Sequence, residues 1–309
     1  GSLNFQIWEV GDQDPPSAGN HSLSFDGVDD EVIIENNLNV NNQLTISAWI
    51  NYEEGGTHWP RVISNDYNSC DGYEMITTGT ENLRRILFHF NCSAGASGWV
   101  DGVTEIESNT WNYISLVHDG TQAIIYINGE IDAINESPAQ LGSNVSRNPI
   151  FAQRGDGLCR YKGNIDQTAI WNRALSQSEI QSYMSTPPTG SESGLVGYWN
   201  FNEGTGSVLT DQTINGHNGT IYGATWVLND IEGCTNPEAC NYDETATDDD
   251  GSCEYEYDCA GVCGGDLEFD CCGACGGDNS QCSNCCGTPF PDDCSGVCCS
   301  EVCYFDVCG

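Results

Sequence analysis

The sequence predicts an all-β chain: an antiparallel jelly roll or β-sandwich, followed by an extended disulfide-rich tail with little regular structure. Three observations predict it. Apolar and polar residues alternate in short runs between about residues 20 and 229, the period-2 pattern of strands with one buried face. Turn residues punctuate those runs, and Asn128-Gly129 is the strongest hairpin signal because both central positions of a type I′ turn need φ > 0. The 309 residues also divide sharply in composition, since 230–309 hold 16 of the 19 cysteines and 19 of the 46 acidic residues with no lysine or arginine.

Taken in order, residues 1–18 open with Leu3–Val10, which alternates like a strand until Pro15-Pro16 breaks it. This is an extra edge strand of the body, or one that pairs with a neighbouring molecule, because an open edge is a template for strand addition. The body, 19–229, begins with Ser22–Phe25, a turn at Asp26-Gly27, and Val32–Ile34. Leu44–Ile50 alternates cleanly. Gly72–Thr78 and Arg84–Asn91 read as a hairpin around Gly79–Asn82. Cys70 and Cys92 lie equidistant from that turn, so they can face each other across it. Cys159 then has no obvious partner: a free thiol, pairing with Cys70 or Cys92, and a bond to the tail or a neighbour all stay open. Trp111–His118 ends at Asp119-Gly120, and Ala123–Ile127 runs into Asn128-Gly129. One helix is expected, because Ser176 and Glu179 form a capping box ahead of Ile180, Tyr183 and Met184, and Pro187-Pro188 stops it.

Several of these segments resemble one family. Leu23-Ser24-Phe25-Asp26-Gly27-Val28-Asp29-Asp30-Glu31-Val32, Thr45–Ile50, Trp111 through Gly129, Gly163–Ser176, Gly194–Gly204 and Asn218-Gly219-Thr220 resemble, in the same order, the motifs of laminin-G-like jelly-roll domains of the concanavalin A-like superfamily. The resemblance covers roughly 20–228 and implies a jelly roll. It leaves function open, because this fold hosts lectins, enzymes and inert spacers. It also implies that a structural calcium is common in such domains.

The tail, 230–309, repeats. Asp258-Cys259-Ala260-Gly261-Val262-Cys263-Gly264-Gly265-Asp266 recurs twelve residues on as Asp270-Cys271-Cys272-Gly273-Ala274-Cys275-Gly276-Gly277-Asp278, with a degraded copy at Asp293–Cys298. Gly233-Cys234 through Cys240 and Tyr242, closing at Cys253, is similar to cysteine-rich repeats near the C-termini of secreted bacterial surface proteins. Zinc is the rival explanation for the Cys-x-x-Cys pieces, but the lack of tail histidine and the vicinal cysteines favour disulfides among Cys234, Cys240, Cys253, Cys259, Cys263, Cys271, Cys272 and Cys275. Such a framework places the chain in an oxidising compartment, secreted or on a cell surface.

A net charge of −38 disfavours nucleic acid and anionic lipid surfaces as partners. No apolar run approaches the ~20 residues that cross a bilayer, so membrane insertion is not expected. The start at Gly1-Ser2-Leu3 reads as that of a processed chain. Glu130-Ile131-Asp132-Ala133-Ile134 resembles the Glu-x-Asp-x-Glu strand of β-glucanases on the same fold, but Ile134 stands where the last carboxylate belongs, and the segment follows a hairpin turn. The histidines form no metal or nucleophile-base pattern, so no enzyme is expected.

Calcium is the expected cation. Asp26, Asp29, Asp30, Asp211 with Asn215, and Asp248 with Asp250 offer hard oxygen ligands in turns, although each reads equally well as a solvated turn residue. Trp59, Trp99 and Tyr161 fall outside clear strand alternation and are the candidates for a sugar-stacking surface; Trp49, Trp111, Trp171 and Trp199 read as core. Arg154-Gly155-Asp156 matches an adhesion tripeptide and equally a turn. Glycosylation sequons occur at Asn20, Asn91, Asn135, Asn144 and Asn218. The sequence reading favours a non-enzymatic extracellular structural protein whose copies assemble into a fibre through the N-terminal strand and the tail. A calcium-dependent carbohydrate-binding or adhesin module, recognising surface glycans, is the alternative.

Overall fold

A computed structural model describes residues 21–269 and 275–276, apart from 37, 39, 41, 56, 66–71, 81–82, 92–97, 142–147, 230–231 and 245. The N-terminal segment 1–18, with its expected assembly strand, and the expected Cys70–Cys92 bridge lie outside the described residues. The chain divides into two compact units, Gly1–Asn229 and Asp230–Gly309.

The first unit is a sandwich of two antiparallel sheets. Its strands begin with β1 (His21–Asp26), β2 (Glu31–Ile34), β3 (Leu44–Tyr52) and β4 (Arg61–Ser64). Next come β5 (Glu74–Thr80), β6 (Leu83–His89), β7 (Trp99–Asp101), β8 (Ile106–Glu107) and β9 (Trp111–His118). β10 (Ala123–Ile127), β11 (Glu130–Asn135), β12 (Ile150–Phe151) and β13 (Lys162–Trp171) lead to the helix α1 (Gln177–Ser185). β14 (Leu195–Trp199), β15 (Val208–Leu209), β16 (Gly219–Tyr222) and β17 (Thr225–Leu228) complete the unit.

One sheet runs β11-β10-β9-β3-β13-β1-β17, with β14 beside the second half of β13. The other runs β15-β16-β2-β12-β4-β5-β6-β7, with β8 beside β6. Between them the inward residues of alternating strands form one core, including Leu23, Phe25, Ile46, Ile50, Met75, Phe88, Phe151 and Trp199. A second apolar cluster joins Trp49, Tyr113, Trp171 and Tyr198 to Leu175 and Ile180 of the helix segment. The helix starts where its capping box predicts. The Ser176 side chain accepts from the Glu179 N–H and the Glu179 carboxylate accepts from the Ser176 N–H, satisfying two donors that a helix start leaves open.

Local turn chemistry is equally direct. Asn128 and Gly129 have φ of 51° and 79°, as the hairpin signal requires. The β5–β6 hairpin forms with Glu74 opposite His89, and its strands extend through Thr80 and Leu83. Of the tryptophans read as core, Trp49, Trp171 and Trp199 are fully buried, while Trp111 is partly buried against the second cluster.

The second unit contains a short parallel pair, β18 (Glu232–Gly233) with β19 (Asp248–Asp249). Among its described residues, three disulfides staple it: Cys234–Cys253, Cys240–Cys263 and Cys259–Cys275. This settles the choice between disulfide and zinc for these six cysteines. Cys271 and Cys272 lie outside the described residues. The repeat is visible in the backbone, since Tyr257 bridges Cys263 and, twelve residues on, Phe269 bridges Cys275. Cys159 is a free, half-buried cysteine.

Candidate functional site

Two of the predicted aromatics are joined by a buried polar strut. Trp59 precedes Pro60 at the entry to β4 and is 44% exposed. Its backbone is left-handed, at φ 58°, a conformation that is rare for a bulky residue and persists only when its surroundings impose it. Arg61 Nη1 donates to the Trp59 carbonyl at 2.6 Å. The same guanidinium donates through Nε and Nη2 to the two carboxylate oxygens of Glu74, at 3.0 and 3.2 Å. Ser64 Oγ donates to Glu74 at 2.9 Å, and His89 Nδ1 lies 3.1 Å from its other oxygen. The His89 ring then stands 6.2 Å from the ring of Trp99, whose carbonyl accepts from the Asn135 amide.

Strand register explains this assembly. Ser64, Glu74, His89 and Trp99 are successive cross-strand partners on β4, β5, β6 and β7, so their side chains project from one face of the sheet. Their chain neighbours Ile63, Met75, Phe88 and Val100 project into the core. Glu74 is 1% exposed. Burial pushes its carboxyl up, but hydrogen bonds from His89 and Arg61, with the guanidinium charge, outweigh that and hold it down to about 2.

A second loop lies along the first. Arg61 N–H donates to the Cys159 carbonyl, Ala152 N–H to the Val62 carbonyl, and Thr57 N–H to the Arg160 carbonyl. Ala152 and Cys159 are also left-handed, at φ 68° and 60°. Three of the seven non-glycine left-handed residues among those described thus meet in these two loops, a concentration of backbone strain of the kind that clusters at functional sites. Arg154 and Asp156 form an ion pair at 2.5 Å inside a tight turn. The adhesion tripeptide is therefore closed on itself.

The candidate cation centre is the β1–β2 turn. Ligand oxygens of Asp26, Asp29 and Asp30 all lie within 4.8 Å of one another. The Asp26 carboxylate accepts from the Val28 N–H and Asp30 accepts from the Asp26 N–H, both at 2.7 Å. A Cβ on Gly223 would collide with the Asp30 carboxylate, so that backbone approaches only because it is glycine. Burial raises the Asp30 carboxyl, and the charges of Asp26 and Asp29 raise it further against one backbone hydrogen bond. Three converging hard oxygens fit calcium in donor chemistry.

The sequence profile described as the concanavalin A-like lectin/glucanases superfamily matches residues 26–181. The chain belongs to that superfamily. Among curated proteins, this concanavalin A-like chain is 24% identical over 188 residues to pappalysin-1 of Mus musculus and 22% identical over 191 residues to that of Homo sapiens. Those matches cover 55% and 57% of this chain but only 11% and 12% of the relatives, so the chain spans about a tenth of the curated proteins it matches. Two solved structures share the fold. A candidate carbohydrate-binding protein from Bacteroides ovatus has a TM-score of 0.54 at 16% identity, covering 69% of this chain and 60% of that one. A heptameric SAP-like pentraxin from Limulus polyphemus has a TM-score of 0.51 at 14% identity, covering 68% of this chain and 95% of its own.

Several predicted site residues have other duties in this concanavalin A-like domain. Tyr161 is fully buried; it sits where the second loop enters β13, its N–H donates to the Ala152 carbonyl, and it is a core residue, not part of an exposed platform. Among the described residues, Asp211 joins no cation cluster. Its carboxylate accepts from the backbone N–H groups of Tyr198, Thr213 and His217 and from the Thr213 hydroxyl, and Asn215 donates to the Val196 carbonyl, so the pair fastens a loop to β14. Asp248 and Asp250 are likewise in no cation cluster among the described residues; Asp250 accepts from the Ser252 N–H as an ordinary turn residue. Glu130 accepts from the amides of Gln177 and Gln181, and Asp132 from the N–H groups of Val103 and Thr104.

Sequence reasoning missed Arg61, Glu74 and His89. A lone arginine heading the run Val62-Ile63-Ser64 was the available signal, since a charge at the edge of a buried strand implies a partner.

Proposed function

We propose that the chain is a non-catalytic, extracellular carbohydrate-binding module that stacks sugar rings on Trp59 and Trp99. The observation that carries this is an exposed tryptophan, Trp59, whose left-handed backbone is tied to a buried ion pair, with a second, half-buried tryptophan, Trp99, beside His89 of the same cluster. Tryptophan offers a wide apolar face at low conformational cost, which suits the C–H faces of pyranose rings. Membership of the superfamily and the fold shared with the Bacteroides ovatus protein support a binding role. Three disulfides support an oxidising compartment, and no helix among the described residues is long and apolar enough to cross a membrane.

Calcium is the cation we propose for Asp26, Asp29 and Asp30. It would neutralise three converging carboxylates and stiffen the β1–β2 turn; the residues themselves orient that turn through their backbone hydrogen bonds. Nothing among the described residues favours the fibre-subunit reading over this one. A glycan array probed with and without calcium tests the proposal. Binding should appear on a restricted set of glycans and fall about tenfold or more in Trp59→Ala and Trp99→Ala, the scale of losing an aromatic hot spot. A blank array, or binding that survives both substitutions, overturns it.

A further inference from the structure

We infer that this surface takes a neutral, extended glycan chain lying across the strands, not a single terminal sugar and not an acidic polysaccharide. The inference rests on the carbohydrate-binding reading and narrows it to a ligand class.

Spacing gives the first argument. Ser64, Glu74, His89 and Trp99 occupy one row, so three strand steps of ~4.8 Å separate β4 from Trp99. Trp59 lies five residues before Ser64 in the chain, which at ~3.3 Å per residue displaces it further along the strand direction. The two tryptophan backbones therefore stand roughly 14–22 Å apart, the lower figure from the strand steps alone and the upper with the chain fully extended, beyond the reach of one or two pyranose rings. A ligand that uses both must be a chain. His89, half-buried between them, offers a ring edge to hydroxyl groups along the way, whereas Arg61 and Glu74 are buried and act only by positioning.

Charge gives the second argument. Two guanidinium groups of these loops, Arg61 and Arg154, already have carboxylate partners in Glu74 and Asp156, and Nη1 of the third, Arg160, is buried. An anionic polymer would have to displace those partners while approaching a chain of net charge −38. The surrounding potential opposes that approach, so hydroxyl-rich neutral glycans are the class that fits.

The test uses the full chain and isothermal titration with cello-, manno-, xylo- and arabino-oligosaccharides from one to six units, beside polygalacturonate and hyaluronan at low salt. In the neutral series that binds, affinity should rise at least tenfold with length and then level off, with little dependence on salt. Trp59→Ala and Trp99→Ala should each flatten that rise, and Trp59→Phe and Trp99→Phe should retain it, which separates loss of stacking from loss of fold. Length-independent binding, or tighter and salt-sensitive binding to the acidic polymers, overturns the inference while leaving a carbohydrate-binding module. No binding to any of these glycans overturns the module reading as well.

Discussion

Glu74 shows how one buried charge sets both stability and site geometry. Its ordinary value of 4.5 falls to about 2 in the fold, so the ionised form is favoured. That stabilisation is complete above 4.5 and is lost as pH falls from there through about 2, a contribution on the order of 3 kcal/mol. Denaturant unfolding between neutral pH and pH 2 should show a steep acid limb that Glu74→Gln flattens. Arg61→Ala should be worse than Glu74→Gln at neutral pH, because it strands a buried carboxylate at a cost of about 3–5 kcal/mol; a melting curve checks the order. Only the lone Arg61 ahead of Val62-Ile63-Ser64 hinted at this in the sequence. Arg61, Glu74 and His89 sit on three strands whose mutual register depends on the whole sheet, and no local spacing encodes it. Tyr161 failed for a related reason: it precedes β13, so strand alternation could not assign it a face, yet the adjoining loop carries it into the core.

At the scale of elements, local signals were reliable because their chemistry is local. The helix began at its capping box and the β10–β11 hairpin turned at Asn128-Gly129, as residues a few positions apart dictate. Ser176→Ala should cost about 1 kcal/mol in denaturant unfolding and leave glycan binding unchanged, since α1 packs on the opposite sheet through Leu175 and Ile180. The turn glycine at 129 is constrained twice, by its positive φ and by Gln181 Cγ, which a Cβ would meet at 2.8 Å. The same locality misled the reading of acidic turns. A carboxylate beside Gly or Asn looks alike whether it binds a cation or its own backbone, and Asp211 binds its backbone.

For the whole molecule, the two compact units are held by different means: the sandwich by apolar packing between its sheets, the tail by Cys234–Cys253, Cys240–Cys263 and Cys259–Cys275. Reduction should therefore open the unit from Asp230 onward to proteolysis while the sandwich stays resistant; limited digestion with and without reductant reads this directly. Both units are acidic, and the tail has no lysine or arginine, so raising ionic strength should relieve repulsion within each. The left-handed backbone at Trp59 has a consequence of another kind. Arg61 keeps that residue in place through Glu74, so the strut is a latch, and ligand grip and local folding become one equilibrium. Acid that protonates Glu74 weakens the latch on the same limb that destabilises the fold. Under the proposed function, glycan binding should therefore fall along the same acid limb as stability.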